Sequence, residues 1–267
     1  MKQTGKKVWY SHQGTVITFI ILRALVVLTG VLSFLRGDYE SVFISVIVFF
    51  LLLLPSIISR QLRIELPSTL EIVLLCFIFA STILGEINKF YVRVPHWDTV
   101  LHTINGFCFA AIGFSLVDIL NRHERVSLRL SPLFMAIVAF CFSMTIGVLW
   151  EFFEYGADHF FPVDMQKDAI VTSFSSVTLD DTNSNKAITV NDISDVIVVH
   201  SDGSSEALGI GGYLDIGIND TMKDLLVNLL GAVIFSIIGY FYVKQRGQGR
   251  FAARFIPRVL MRDESMK

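Results

Sequence analysis

The chain has 267 residues, and only 17% of them are charged, against roughly 25% in a soluble domain. Its hydrophobic residues, 53% of the total, fall in runs long enough to cross a hydrocarbon core of about 30 Å, which excludes an ordinary water-soluble globule. The net charge of −2 conceals a basic face and an acidic one, and no nucleic-acid partner is expected.

A cytoplasmic N-terminal stretch, 1–14, carries Lys2, Lys6 and Lys7. Six spanning helices are then predicted, at about 15–35, 41–59, 70–87, 99–120, 131–153 and 224–243. The first is too long for a signal-peptide core and ends in LSFLRGDYE without a small-residue cleavage site, so it reads as a retained span. It contains Arg23, which snorkelling to the headgroups explains; a buried pair with Glu71 or Asp118 is the sharper alternative. The second span holds FFLLLLP, and its Pro55 frees a carbonyl that a bundle can satisfy. The third ends at Gly85 and Glu86. Cys76, Cys108 and Cys141 all lie in apolar runs, so neither a disulfide framework nor thiol chemistry is expected.

The fourth span opens with VPHWDTVLHTINGFCF, where Asp98, His102 and Asn105 share one helical face. The fifth closes with GVLWEFFEYGADHF, aligning Glu151, Glu154 and Asp158. Between the fifth and sixth spans, 154–223 is an acidic loop. Its β-branched stretches AIVTSFSSVTL and NDISDVIVVH, the latter followed by the turn signal SDGSS, predict a small β-rich insertion. Most of its carboxylates read as a solvated acidic surface, with Asp158 and Asp215 either solvated or holding the loop. The sixth span opens with LDIGINDTMKDLLVNLLGA and lines up Asp220, Asp224 and Asn228, with Gly231 just below. Asn105 and Gly106 read as helix-packing residues.

In the tail, 244–267, Arg246, Arg250, Arg254, Arg258 and Arg262 recur every four residues, with Phe251, Phe255, Ile256, Val259 and Leu260 between them. This spacing fits a helix lying on anionic inner-leaflet lipid, interrupted at Pro257; a merely positive-inside tail is the plainer reading. Lysine and arginine counts in the short loops put both termini in the cytoplasm and the 154–223 loop outside a bacterial inner membrane. The fold class is therefore an all-α polytopic bundle with an extracytoplasmic β-rich insertion.

On that topology Asp98, His102, Glu151, Glu154, Asp220 and Asp224 all reach the outer interface. Clustered carboxylates with few cations nearby cannot all stay ionised in a low-dielectric pocket, so protons or a bound cation must compensate them. An oxygen-rich set with one imidazole suits a divalent ion, with Asp98, His102, Asp220 and Asp224 as ligands and Glu151 or Glu154 as a general base. Such a site would act on lipid-linked or cell-wall headgroups. A cation- or proton-coupled transporter would use the same carboxylates as a relay, but would need polar residues further down the helices. A non-catalytic scaffold would instead bind an envelope partner through the outer loop.

At LPSTLEIVLL, ILGEINKFY, WDTVLHTINGF, LWEFFEY and GYLDIGINDTMKDLLVNLLGA the chain resembles the YjdF-like family of bacterial membrane proteins, in order from about Leu66 to Gly231 apart from the β-rich insertion. More distantly it is similar to VanZ-like proteins, a family linked to glycopeptide (teicoplanin) resistance, through Asp98 with His102, Glu151, and Asp224 with Asn228. Where the VanZ-like pattern has an arginine before its last aspartate, this chain has only Lys223. The resemblance implies the fold and the site positions, and carries no activity with it.

Overall fold

The structure is a computed structural model that describes residues 5–62, 64–122, 130–245, 247 and 249–259. Six of its helical segments are long and apolar enough to cross a membrane: Gln13–Leu35, Tyr39–Gln61, Ser68–Ile87, Trp97–Leu120, Pro132–Phe160 and Ile218–Lys244. The expected spans are all present. The fifth and sixth extend further than expected, because the polar residues flanking the 154–223 loop continue the helix. Val16, Ile20, Phe43, Phe50 and Leu226 are among the many large apolar side chains left exposed on these helices, as lipid-facing residues must be.

The chain divides into two compact units, Met1–Gly147 with Leu225–Lys267, and Val148–Asp224. In the first, α1 (Gly5–Leu35) packs on α2 (Tyr39–Leu51) and on α4 (Ser68–Phe79). Asp38 caps α2 by accepting the Ser41 N–H at 3.1 Å. Between α2 and α3 (Leu54–Leu62) the second span breaks just before Pro55. There the Leu53 N–H turns to the Phe50 carbonyl, three residues back, so the Phe49 carbonyl loses its helical donor. Arg23 Nη2 donates to that carbonyl at 3.1 Å, and its guanidinium stacks 3.7 Å from the Phe49 ring centroid and 4.9 Å from that of Phe19. Arg23 is thus engaged at the break in the second span. After α4 the third span continues as π-helix over Ala80–Ile87, and the short α5 (Phe90–Arg93) precedes α6 (Trp97–Arg122).

The crossing of α6 with α8 (Ile218–Lys244) is a backbone contact. A Cβ on Gly106 would lie 2.0 Å from the Asn228 carbonyl oxygen, and one on Gly231 would lie 2.1 Å from that of Thr103. Only glycine permits so close an approach. Below it Phe107, Phe114, Phe235 and Tyr242 form an edge-to-face chain with centroids 5.0–6.4 Å apart. All three cysteines are free, and Cys108 is buried in this core.

The segment after α8 corrects the expectation of a surface helix. Its described part consists of turns, a 3₁₀ turn at Ala252–Arg254 and a strand, Arg258–Val259, paired antiparallel with Ile64–Glu65. The apolar residues prefer the bundle to a bilayer surface: Ala252, Phe255 and Ile256 are buried. Arg250 and Arg254 are exposed, while Arg246 and Arg262 lie outside the described residues.

In the second unit three short antiparallel pairs join β2 (Ile170–Val171) to β7 (Tyr213–Leu214), β3 (Phe174–Ser176) to β4 (Ile188–Val190), and β5 (Ile197–Val199) to β6 (Ser205–Ala207). The last pair turns at the SDGSS turn signal, with Gly203 at φ 86°. The acidic residues do more here than meet solvent. Asp180 accepts the backbone N–H of Thr182, Ser184 and Lys186 together with the Thr182 and Ser184 hydroxyls. Led by the Thr182 bond, these hold its carboxyl well below the usual range. Asp195 likewise organises Val196, Gly209 and Ile210, and Asp202 organises Ser204.

Candidate functional site

In the first unit, the opening turns of α6 bring Asp98 and His102 together at 3.4 Å through their i, i+4 spacing. His102 is only 7% exposed. Two further polar atoms in the same turn, Trp97 Nε1 and Thr99 Oγ1, are buried with no hydrogen-bond partner among the described residues. Trp97 is fixed edge-on against Phe90 at 5.0 Å. Buried groups of this kind call for a ligand, an ion or water to complete them.

One turn below, Asn105 donates its amide to Asn228 Oδ1 at 3.2 Å, and Asn228 donates to the Met144 sulfur at 3.6 Å. A Cβ on Gly147 would fall 2.6 Å from the Asn228 amide nitrogen. Ser143 donates to the Gly106 carbonyl at 2.7 Å. The 1%-exposed Asn228 is thus the point at which α6, α7 (Pro132–Phe160) and α8 are locked in register. The pairing of Asn105 with Asn228 bears out the helix-packing expectation for Asn105. Nothing in the sequence alone singled out Gly147 and Met144 as its third partner.

In the second unit, Glu151, Glu154 and Asp224 are 4%, 8% and 1% exposed. Glu151 and Glu154 lie one turn apart on α7 and present carboxylate oxygens within 4.8 Å of each other. Trp150 Nε1 donates to Glu154 at 2.8 Å and so restrains it. Asp220 is half-buried and accepts the Lys167 N–H at 2.8 Å. Asp158 accepts those of Met165 and Gln166, and Asp215 those of Ala169 and Asn219, so both hold the loop. Desolvation pushes the Asp215 carboxyl up, but these bonds outweigh it and leave it lowered. Exposed Asp168 shifts the other way: desolvation and then the negative charges of Asp164, Asp215 and Asp158 raise it.

Six long apolar helices with large apolar side chains left exposed define a multi-pass membrane protein. The chain belongs to the family described as "Predicted membrane protein (DUF2238)", which matches residues 16–245. It is 25% identical over 150 residues to an uncharacterised protein of Thermotoga maritima, an alignment covering 56% of this chain and 68% of that protein. No solved structure matches it.

Proposed function

We propose that this protein sits in the bacterial inner membrane with both termini inside, and that Asp98, His102 and Asp224 hold one divalent cation at the outer interface. Asp220 belongs at the margin of that site, since one of its oxygens already serves the Lys167 backbone. The bound ion would hold a phosphate or similar headgroup on a lipid-linked or cell-wall substrate, and Glu151 or Glu154 would take the proton from attacking water. Likeness to the YjdF-like and VanZ-like patterns supports the same set of positions.

The observation that carries the proposal is burial. His102, Glu151, Glu154 and Asp224 are each more than nine-tenths buried on helices built for a membrane. Buried ionisable groups on such helices are costly and mark functional sites. Helical register adds to it: His102 precedes Asn105 by three residues, Asp224 precedes Asn228 by four, and Glu151 follows Gly147 by four. Each lies one turn outward from the locked junction on its own helix. The unsatisfied Trp97 and Thr99 donors would meet the substrate's oxygens. Arg250 and Arg254, with Arg246, Arg258 and Arg262, are assigned to the anionic inner leaflet.

The test is elemental mass spectrometry on detergent-purified protein beside Asp98→Ala, His102→Ala and Asp224→Ala. Near-stoichiometric metal, lost in all three folded variants, is the expected result. Protein that carries no metal after purification without chelator, and binds none on titration, would refute the site and leave protonated carboxylates in a relay or a structural network.

A further inference from the structure

The chain beyond the sixth span turns back into the first unit. Ala252, Phe255 and Ile256 join one apolar cluster with Ile64, Leu66 and Leu70 from the approach to the third span, and with Cys108 and Phe114 of α6. The Phe255 ring lies 5.0 Å from Phe107, which lies 5.0 Å from Phe235. Phe107 is ten residues into α6, about 15 Å along the helix, so Phe255 reaches towards the middle of the span. Backbone pairing of Ile64 with Val259 and of Glu65 with Arg258 ties the segment to the linker between the second and third spans. Ser59 donates its hydroxyl to the Ile64 carbonyl at 2.5 Å and steadies that linker.

We infer that residues 249–259 form a re-entrant strap that seals the bundle at the end where the second and third spans are joined. The strap touches α4 and α6 and packs against Tyr242 of α8. Of its side chains, Ala252, Phe255, Ile256 and Pro257 are buried, so the strap closes that end with apolar surface. Its backbone attachment is limited to two residue pairs, so it opens locally without unfolding the spans. Cys108, 2% exposed, belongs to the same apolar cluster and follows Phe107, which Phe255 touches, so opening the strap raises its accessibility. This inference is independent of any metal at the other end of the helices.

The experiment uses the full chain in detergent with Cys76→Ser and Cys141→Ser, leaving Cys108 as its sole thiol. Labelling by a hydrophilic maleimide is compared with that of the same chain carrying Phe255→Ala and Ile256→Ala. The strap predicts slow labelling of the parent and a rate at least about tenfold higher in the double variant, as expected when a local opening is favoured. Equal rates in two proteins with the same helical circular dichroism would overturn it, as would parent labelling as fast as in denaturant. A second variant stands apart from core stability: Ile64→Cys with Val259→Cys, in a chain whose own three cysteines are serine. Oxidation should cross-link this pair efficiently, whereas a chain whose second and last segments never meet would yield none.

Discussion

Replacing Gly106 by alanine tests the closest helix contact in the molecule. The new methyl would start 2.0 Å from the Asn228 carbonyl oxygen, where real Cβ contacts essentially never fall below 3.0 Å. The obstacle is backbone, so no rotamer change relieves it and α6 and α8 must part by about 1 Å at the crossing. Alanine gains about 1 kcal/mol over glycine in helix propensity. Overpacking of a tight core costs about 1–3 kcal/mol, and a backbone clash belongs at the upper end of that range. The net expectation is a loss of about 2 kcal/mol, read as a lower thermal or denaturant midpoint in detergent. Gly156→Ala is the internal control, because nothing lies within 4 Å of its new methyl. It should gain about 0.5–1 kcal/mol from propensity alone. If Gly106→Ala were as stable as Gly156→Ala, the glycine crossing would be wrong. Parting the helices should also disturb the Asn105–Asn228 bond and, on the proposed cation site, lower metal occupancy beyond what the stability loss explains.

Other residues give sharper or less intuitive outcomes. Arg23→Lys should destabilise more than Arg23→Met in detergent melts. Lysine keeps a buried charge, which costs about 2.5–3.5 kcal/mol, yet loses the planar stacking on Phe49 and Phe19, whereas methionine removes charge and stacking together. Asp180→Asn puts an amide donor among three backbone N–H groups, so amide exchange at Thr182, Ser184 and Lys186 should rise while the spans are unaffected. The Asp180 carboxyl is lowered in the folded state, so its stabilisation is present above the unfolded value of about 3.9 and disappears as pH falls through the lower folded value. Exchange at those three amides should therefore stay slow down to pH 4 and quicken only below it, after correction for intrinsic exchange. Asp168 is raised instead, so its ionised form opposes folding above its folded value and is harmless below the unfolded one. Asp168→Asn should accordingly slow exchange in the 164–169 segment at pH 7 and leave it unchanged at pH 3.

The spans were legible because their composition leaves no other environment for them, and the hairpin at SDGS because its turn residues impose a local geometry. Asp98 with His102, and Glu151 with Glu154, were legible as helical neighbours, since register alone sets those distances. The role of Arg23 was not. It answers the Phe49 carbonyl, 26 residues away, left open where the Leu53 N–H turns to Phe50, and no periodicity records such a pairing. The tail misled for the opposite reason: a regular arginine spacing looked helical, but Gly247, Gly249 and Pro257 break the helix, and the apolar residues between them find a core to enter. The acidic loop was read chiefly by charge, whereas Asp180, Asp195 and Asp215 act mainly as hydrogen-bond acceptors for turns that lack regular structure.

How far polarity extends down the helices bears on whether the buried carboxylates could serve a conduit. Below the Asn105–Asn228 bond, the hydroxyls of the first unit are largely committed: Ser115 bonds back to the Ala111 carbonyl at 2.6 Å and Ser143 to Gly106. Ser236 alone among these three has no partner among the described residues, and the groove beside it is lined by Leu133, Ile137, Phe140, Val233 and Phe241. Next come the Phe107, Phe114 and Phe235 rings, and then the strap residues Phe255 and Ile256. On α6 no charged residue lies between His102 and the buried Asp118 near the other end, and a cation crossing that stretch would forgo its water at a cost of several kcal/mol for each unsatisfied step. Chemistry confined to one end of the helices requires no such path. On the proposed reading the site takes its ligand from one face of the membrane and returns it there, and the strap covers the bundle at the other end.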